Sequence, residues 1–322
     1  MDVIRTDQNG CYDTDGKPVD CAGSGQDGEI RSGLEWPAPR FDQRDGLIID
    51  RLSALMWTRD AGPTGFPQTW CEALDFIGKI NHEQAFGYQD WRLPERQELF
   101  SLVSHDCINP ALPAGAPFEN IFAGYYWTAT TCSRLEDQAW YIHLGGGRIY
   151  RGMKYGSYMV WPVRCQLYHQ TAEPPGGGRS DSSSKNWTNP TDSRYAINRG
   201  KIYDRFTGLE WAKMNKLPFG PMSWAAAFDF IRAMNAANIH GYSDWRLPNV
   251  RELESLIDVR QHTPALSDGH PFDQVPEGCW SSTTSRYEPR YAWVVYMQDG
   301  AVGVGFKKNT EFYVWAVRGG IV

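Results

Sequence analysis

The residues best equipped for chemistry in this chain are seven cysteines, at 11, 21, 71, 107, 132, 165 and 279, and seven histidines, at 82, 105, 143, 169, 240, 262 and 270. Thiolates and imidazoles act as nucleophiles, bases or metal ligands only when spacing or an activating neighbour brings them together. No Cys-x-x-Cys or His-x-x-x-His occurs, so the sequence indicates no zinc site. Cys11 and Cys21 flank a Gly-, Asp- and Pro-rich stretch too polar to bury them as hydrophobes, which predicts a disulfide and an oxidising compartment. Cys279 directly precedes Trp280 with no activating motif and reads as a buried free thiol.

Charged residues are the other candidates. Asp42, Asp45 and Asp50 crowd one loop and offer a calcium site, although that ion takes about six to eight oxygens. Asp90 with Arg92, and Asp244 with Arg246, have the types of a catalytic or ligand-binding pair. Both pairs lie among core-type aromatics, so ion pairing and backbone hydrogen bonding are expected of them instead.

The elements that would position these residues are written twice. GYQDWRLPERQEL begins at 87 and GYSDWRLPNVREL at 241, 154 positions apart, with nine of thirteen letters identical. The register extends to Trp57/Trp211, Trp70/Trp224, Pro110/Pro264 and Phe118/Phe272, shifts by one residue at Trp127/Trp280 and Trp140/Trp293, and returns at Trp161/Trp315. So long a period with two copies means tandem domains, because solenoid repeats are shorter and more numerous. The division is an extension over 1–39 with the Cys11–Cys21 loop, domain 1 over 40–168, a Gly/Ser/Pro-rich linker over 169–193 and domain 2 over 194–322.

Within each copy, apolar residues at helical spacing (Trp70, Leu74, Ile77, Ile80; Trp224, Phe228, Ile231, Met234) predict an amphipathic helix. A shorter helix follows WRLP, with Asn249 and Glu252 placed as a capping box and Leu253 and Leu256 facing inward. Alternating segments then predict strands: 292–297, 301–306 and 313–319, matched by AWYIHL and YMVWPVRC in the first copy. Trp91, Arg92 and Pro94, with Trp245, Arg246 and Pro248, form the motif of a tight crossover fixed by packing and by proline's backbone angle. The fold class is α+β, each domain two helices plus a twisted antiparallel sheet.

WRLP followed by a helix bearing Glu-Leu, then Trp-Thr-Ala-Thr-Thr or Trp-Ser-Ser-Thr-Thr, a strand opening Ala-Trp and a closing Val-Arg-Cys or Val-Arg-Gly resemble the Lcl C-terminal domain family in both copies. QNGCYD, at 8–13, resembles the start of many exported members. That family is grouped with the C-type lectin fold, so the resemblance implies two tandem C-type-lectin-like domains. RLP with an acidic helix and a terminal Val-Arg also look like formylglycine-generating enzymes and variable receptor domains of that superfamily. The resemblance implies an exported, surface-linked setting and, through relatives that act as bacterial adhesin domains, recognition of a glycan or an extracellular protein.

An oxidase of the formylglycine-generating kind needs a close, reactive cysteine pair near the end of the domain, and copy two has none. Cys71, Cys107, Cys132 and Cys165 fall on Ala225, Gln261, Ser285 and Gly319, and their absence as a group predicts two disulfides, Cys71–Cys107 and Cys132–Cys165. Tyr287-Glu288-Pro289-Arg290 departs from the Glu-Pro-Asn motif of lectins, with Arg in place of an oxygen ligand. Candidate ligand-binding residues are therefore aromatic and cationic: Arg286, Tyr287, Arg290 and Tyr291 in copy two, Arg148, Tyr150, Arg151 and Tyr155 in copy one.

Net charge is -6 with acids and bases interleaved, which argues against nucleic acid, and no apolar run reaches the roughly 20 residues of a membrane helix. The reading is a non-enzymatic extracellular, cell-surface or periplasmic binding protein, Met1 standing in for a removed export signal. It needs no cofactor unless calcium. The alternative is a structural subunit, homo-oligomeric or part of a filament or envelope assembly.

Overall fold

The computed structural model describes residues 3–165, 194–198, 200–213 and 220–320. The linker expected over 169–193 lies outside them.

Each domain opens with a three-strand meander: β3 (Phe41–Arg44), β4 (Leu47–Asp50) and β5 (Leu55–Thr58) in domain 1, β10 (Tyr195–Asn198), β11 (Lys201–Asp204) and β12 (Leu209–Ala212) in domain 2. The last strand of the domain, β9 (Val163–Cys165) or β16 (Val317–Gly319), returns to pair with β5 or β12, bringing the ends of each copy together. Between them run a long helix, α2 (Trp70–His82) or α4 (Trp224–Ala236), a short one, α3 (Arg96–Ser101) or α5 (Val250–Glu254), and three strands. These strands are β6 (Tyr125–Thr131), β7 (Gln138–His143) and β8 (Arg148–Met153), with β13 (Gly278–Thr284), β14 (Tyr291–Tyr296) and β15 (Val302–Phe306) as their counterparts. The α+β tandem architecture is as expected from the sequence, but each domain divides its strands between two sheets.

The repeated motif is the hinge of each copy. Trp91 and Trp245 are both 2 % exposed, and their indole N–H groups donate to Ala85 O and Ile239 O. Asn81 brackets the Trp91 main chain with two 2.8 Å hydrogen bonds, as Asn235 does for Trp245. Arg92 and Arg246 form bridges to Val163 and Val317 and bind Glu98 and Glu252 through two hydrogen bonds each. Glu98 and Glu252 are also the capping-box residues of α3 and α5, so one carboxylate holds a helix start and a crossover at once. Asp90 and Asp244 pair with Arg164 and Arg318 on the last strands, not with their neighbouring arginines. Pro94 and Pro248 are buried at the turn into the helix.

The two domains are fused. Their three-strand sheets join edge to edge in the order β13-β14-β15-β8-β7-β6, through antiparallel pairing of Ile149 with Val302. These two residues occupy the same position in the two copies, so a local two-fold relation passes through the pair. One apolar core runs across the seam, with Phe100, Trp140 and Ile149 from domain 1 and Leu253, Trp293 and Val302 from domain 2. Two buried arginines cross it: Arg96 donates to Gly300 O at 2.6 Å and lies 3.2 Å from Glu254, while Arg251 donates to Phe100 O and Val103 O.

The N-terminal extension is more than a hairpin. Its strands β1 (Cys11–Tyr12) and β2 (Pro18–Val19) and helix α1 (Asp27–Ile30) seat on domain 2. Gln8 exchanges two hydrogen bonds with the Thr284 main chain, Ser32 binds Asn249, Arg246 and Glu252, and the buried Asp27 carboxylate accepts from Thr6 and Thr283.

Two outcomes follow. Replacing Arg96 with Ala leaves Glu254 buried without its cation, and urea unfolding is expected to show a loss of about 3–5 kcal/mol, most of it recovered in an R96L/E254L double variant. Burial pushes Asp27 up to about 6 from its ordinary 3.8. Between those values the folded chain keeps a proton that the unfolded chain has released, so the group's contribution is full below about pH 4 and lost as pH rises through 6. Chemical unfolding across pH 4–7 is expected to show a fall of about 3 kcal/mol from this group, absent in D27N.

Candidate functional site

Cross-strand register identifies what the joined sheet shows to solvent. Tyr125 pairs with His143, Trp127 with Tyr141, Tyr141 with Tyr150 and His143 with Arg148, which places all six side chains on one face. The opposite face carries Tyr126, Trp140, Ile142 and Ile149 into the core. Tyr158, on the segment flanking β6, leans over the first face and completes an aromatic cluster. Its ring centroid lies 4.3 Å from Trp127, 4.9 Å from Tyr141 and 5.2 Å from Tyr125, and Tyr125 lies 5.0 Å from Tyr141 and 4.7 Å from His143.

Trp127 is fully covered and forms the floor of the cluster, whereas Tyr125 is 42 % and Tyr150 47 % exposed. Burial, reinforced by Tyr158, Tyr125 and Tyr150, pushes the Tyr141 phenol up to about 12, and burial also raises Tyr158. The phenols therefore stay protonated through the physiological range and can donate as well as accept. Burial and the adjacent Arg148 hold His143 below the usual imidazole range, so the ring is neutral at pH 7. Apolar ring surface, phenol hydroxyls and one exposed guanidinium suit a ligand that is itself hydroxylated and has apolar faces.

The residues singled out in the sequence divide. Tyr150 and the exposed Arg148 belong to this face. Arg151, on the other side of the same strand, is tied to Asp299 at 2.6 Å and faces Trp140 at the seam. Arg286 is held over the Tyr12 ring, donating to its hydroxyl and to Asp106 O, so it fastens the extension. Arg290 closes on Glu288 through two hydrogen bonds, Tyr291 packs on Phe306 at 5.4 Å, and the exposed Tyr287 rests beside Gly146. Tyr155 is 78 % exposed beyond the end of β8. The eight residues thus form no single site.

Tyr125, Tyr141 and Tyr158 were not among the sequence candidates. Their signal lay in the comparison of the two copies, where Tyr125, Tyr141 and Tyr150 fall on Gly278, Val294 and Gly303. Core positions agree between copies while these three do not.

The aspartates of the calcium reading are otherwise engaged. Arg40 grips Asp50 at 3.0 and 2.9 Å, Arg51 grips Asp42 at 2.7 Å twice, and Asp45 turns the chain between β3 and β4 with φ 46°. Among the described residues no three His, Cys, Asp or Glu side chains converge as a metal site.

Cysteine pairing needs correction as well. Cys11 and Cys21 form the expected disulfide, with Cα atoms 5.2 Å apart. Cys71, Cys107, Cys132 and Cys165 are free thiols, because the elements carrying them hold them apart. Cys71 is exposed in the first turn of α2 and Cys107 lies in the loop beyond α3. Cys132 follows β6 near Arg151, while Cys165 ends β9 in the other sheet near Arg92. Their joint absence from copy two does not reflect pairing. Cys279 is buried and free as expected, and burial raises its pKa strongly.

Two fused α+β domains sharing one core and presenting an open aromatic sheet face define a duplicated scaffold protein. The chain belongs to the Lcl C-terminal domain family, whose sequence profile matches residues 46–164 and 200–318. No curated protein matches it. Among the described residues no helix is long and apolar enough to cross a membrane.

Alkylation of the native, unreduced protein is expected to modify Cys71 rapidly and Cys279 only after denaturation, with Cys11 and Cys21 unmodified until reduced. Peptide mass mapping reads each site separately.

Proposed function

We propose that the chain is a non-enzymatic recognition protein of an extracellular, cell-surface or periplasmic compartment, and that the tyrosine face of domain 1 binds a glycan. The observation that carries this reading is the crowding of Tyr125, Tyr141, Tyr150 and Tyr158 on an open sheet face, at positions where the second copy has Gly278, Val294, Gly303 and Phe312. Rings that a fold needs for its core are buried in both copies, as Trp127 and Trp280 are. Rings that only one copy has and that stand exposed, as Tyr125 and Tyr150 do, answer a different need.

Two further features support recognition over catalysis. The hollows beside Ser32 and Glu252, and beside Phe272 and Trp315, hold about 10 Å³ each, room for a single water. Small-molecule and substrate pockets are commonly about 300–1,000 Å³. The Cys11–Cys21 disulfide fits an oxidising compartment, where surface glycans are met.

A glycan array with and without chelator tests the reading, with binding expected in both conditions because Asp42 and Asp50 are held by arginines. Ring stacking of this kind is worth about 1 kcal/mol, so Y125A and Y150A are each expected to weaken the best ligand roughly five- to tenfold without moving Tm, while R290A changes nothing. Silence of the whole array, or equal binding by a Y125A/Y150A double variant, would overturn it.

A further inference from the structure

The extension also touches domain 1 at Ser104 and His105, but it covers the Trp224 and Lys307 surface of domain 2 and not the equivalent surface of domain 1. In domain 2, Lys307 is wholly buried, its ammonium donating to Tyr12 O at 3.2 Å and Asp13 O at 3.1 Å while lying 4.0 Å over the Trp224 ring. Phe228 is 8 % exposed and packs beside Gly25. Lys308 pairs with Asp15.

Among the described residues, domain 1 repeats this arrangement without a covering segment. Lys154 corresponds to Lys307, and the main chain takes the same path, with Trp70 N donating to Lys154 O and Trp224 N to Lys307 O, both at 3.0 Å. Lys154 lies 4.3 Å over the Trp70 ring, half exposed, and its ammonium donates no hydrogen bond among the described residues. Leu74, in the place of Phe228, is 40 % exposed, and Tyr155, in the place of Lys308, is 78 % exposed. The second copy shows what such a surface accepts: a tight loop offering successive main-chain carbonyls to the lysine and a small residue to the apolar patch.

The occupant of domain 1 is not a second copy's extension. Thr283 donates to Asp27 of the extension at 2.7 Å, whereas the corresponding Thr130 donates at 2.7 Å to Glu95 of domain 1 itself. An extension arriving there would bring Asp27 against the Glu95 carboxylate, and like charges at contact reject a partner.

We infer that Trp70, Leu74, Lys154 and Tyr155 form a docking seat for a loop of a different protein, which gives main-chain carbonyls to Lys154, lays a glycine or apolar side chain on Trp70 and Leu74, and has no acidic residue facing Glu95. This seat rests on observations separate from those behind the glycan reading and stands if that reading fails.

The probe is the disulfide-closed synthetic peptide of residues 9–25, which carries both carbonyls and Gly25 and stops short of Asp27. Titrated into the full chain and followed by amide and indole NMR shifts, it is expected to saturate at Trp70 and Leu74. L74D is expected to abolish the effect, K154M to weaken binding at least fivefold, and Y150A to leave it unchanged. A peptide extended to Ile30 is expected to bind the native chain more weakly than the short one and to gain at least fivefold on E95N. The inference is overturned if no shift appears at Trp70 in either the native chain or E95N, if binding survives L74D and K154M, or if shifts fall on Trp224 instead.

Discussion

Antiparallel pairing of Ile149 with Val302 is the constraint on which the rest of the molecule depends. Alone, β8 and β15 would each be an open sheet edge, a row of unpaired amides that invites association with any other strand. Paired with each other they close both edges, and the helices behind them, α3 and α5, then share one core. Arg96 and Arg251 secure the closure by reaching carbonyls of the other copy. They are not equivalent positions, since Arg96 falls on Val250 and Arg251 on Gln97. Two separate chains with one sequence would carry the same residue on both sides of such an axis. Duplication within one chain permits an unsymmetrical seam and lets the outward surfaces differ.

Local determinants were legible in the sequence and long-range ones were not. Asn249 and Glu252 announced a capping box that the structure contains, and the helical three- and four-residue spacing from Trp224 marked the core face of α4. Proline and tryptophan in the repeated motif announced a rigid crossover, and the structure adds that Glu98 and Glu252 fasten it. The opening meanders went unrecognised because β4, with sequence LIID, is buried on both faces and shows no alternation. The fused sheet was invisible for a different reason: a seam registered by one residue pair leaves no local pattern. For the cysteines, correspondence between copies was taken as evidence of pairing, although loss of residues together says nothing about their distance in space.

How the face differs between the copies has a packing cause. In domain 2, glycine at 303, where domain 1 has Tyr150, lets the Tyr296 ring lie against the strand, while glycine at 305 seats Phe312 as Gly152 seats Tyr158 in domain 1. Those rings cover their own sheet and leave little to recognise. In domain 1 tyrosine stands at 125, 141 and 150, so rings rise from the strands and pack on one another, with Tyr125 and Tyr150 left exposed. One scaffold thus provides a closed face and an open one, and the choice rests on tyrosine against glycine or valine at a few cross-strand positions.

The extension obeys the same asymmetry. Its seat on domain 2 confines two groups that water would otherwise favour, the Asp27 carboxyl and the Lys307 ammonium, and burial draws Lys307 down to about 7. Desolvation of these two groups offsets much of what their hydrogen bonds contribute. Covalent attachment changes the balance by presenting the segment at high effective concentration. The Cys11–Cys21 closure adds to this by removing conformations that the loop would have to give up on seating. Lys154 and Trp70 show the same cation and ring without that segment, so among the described residues the two halves of the chain display a covered and an uncovered form of one surface.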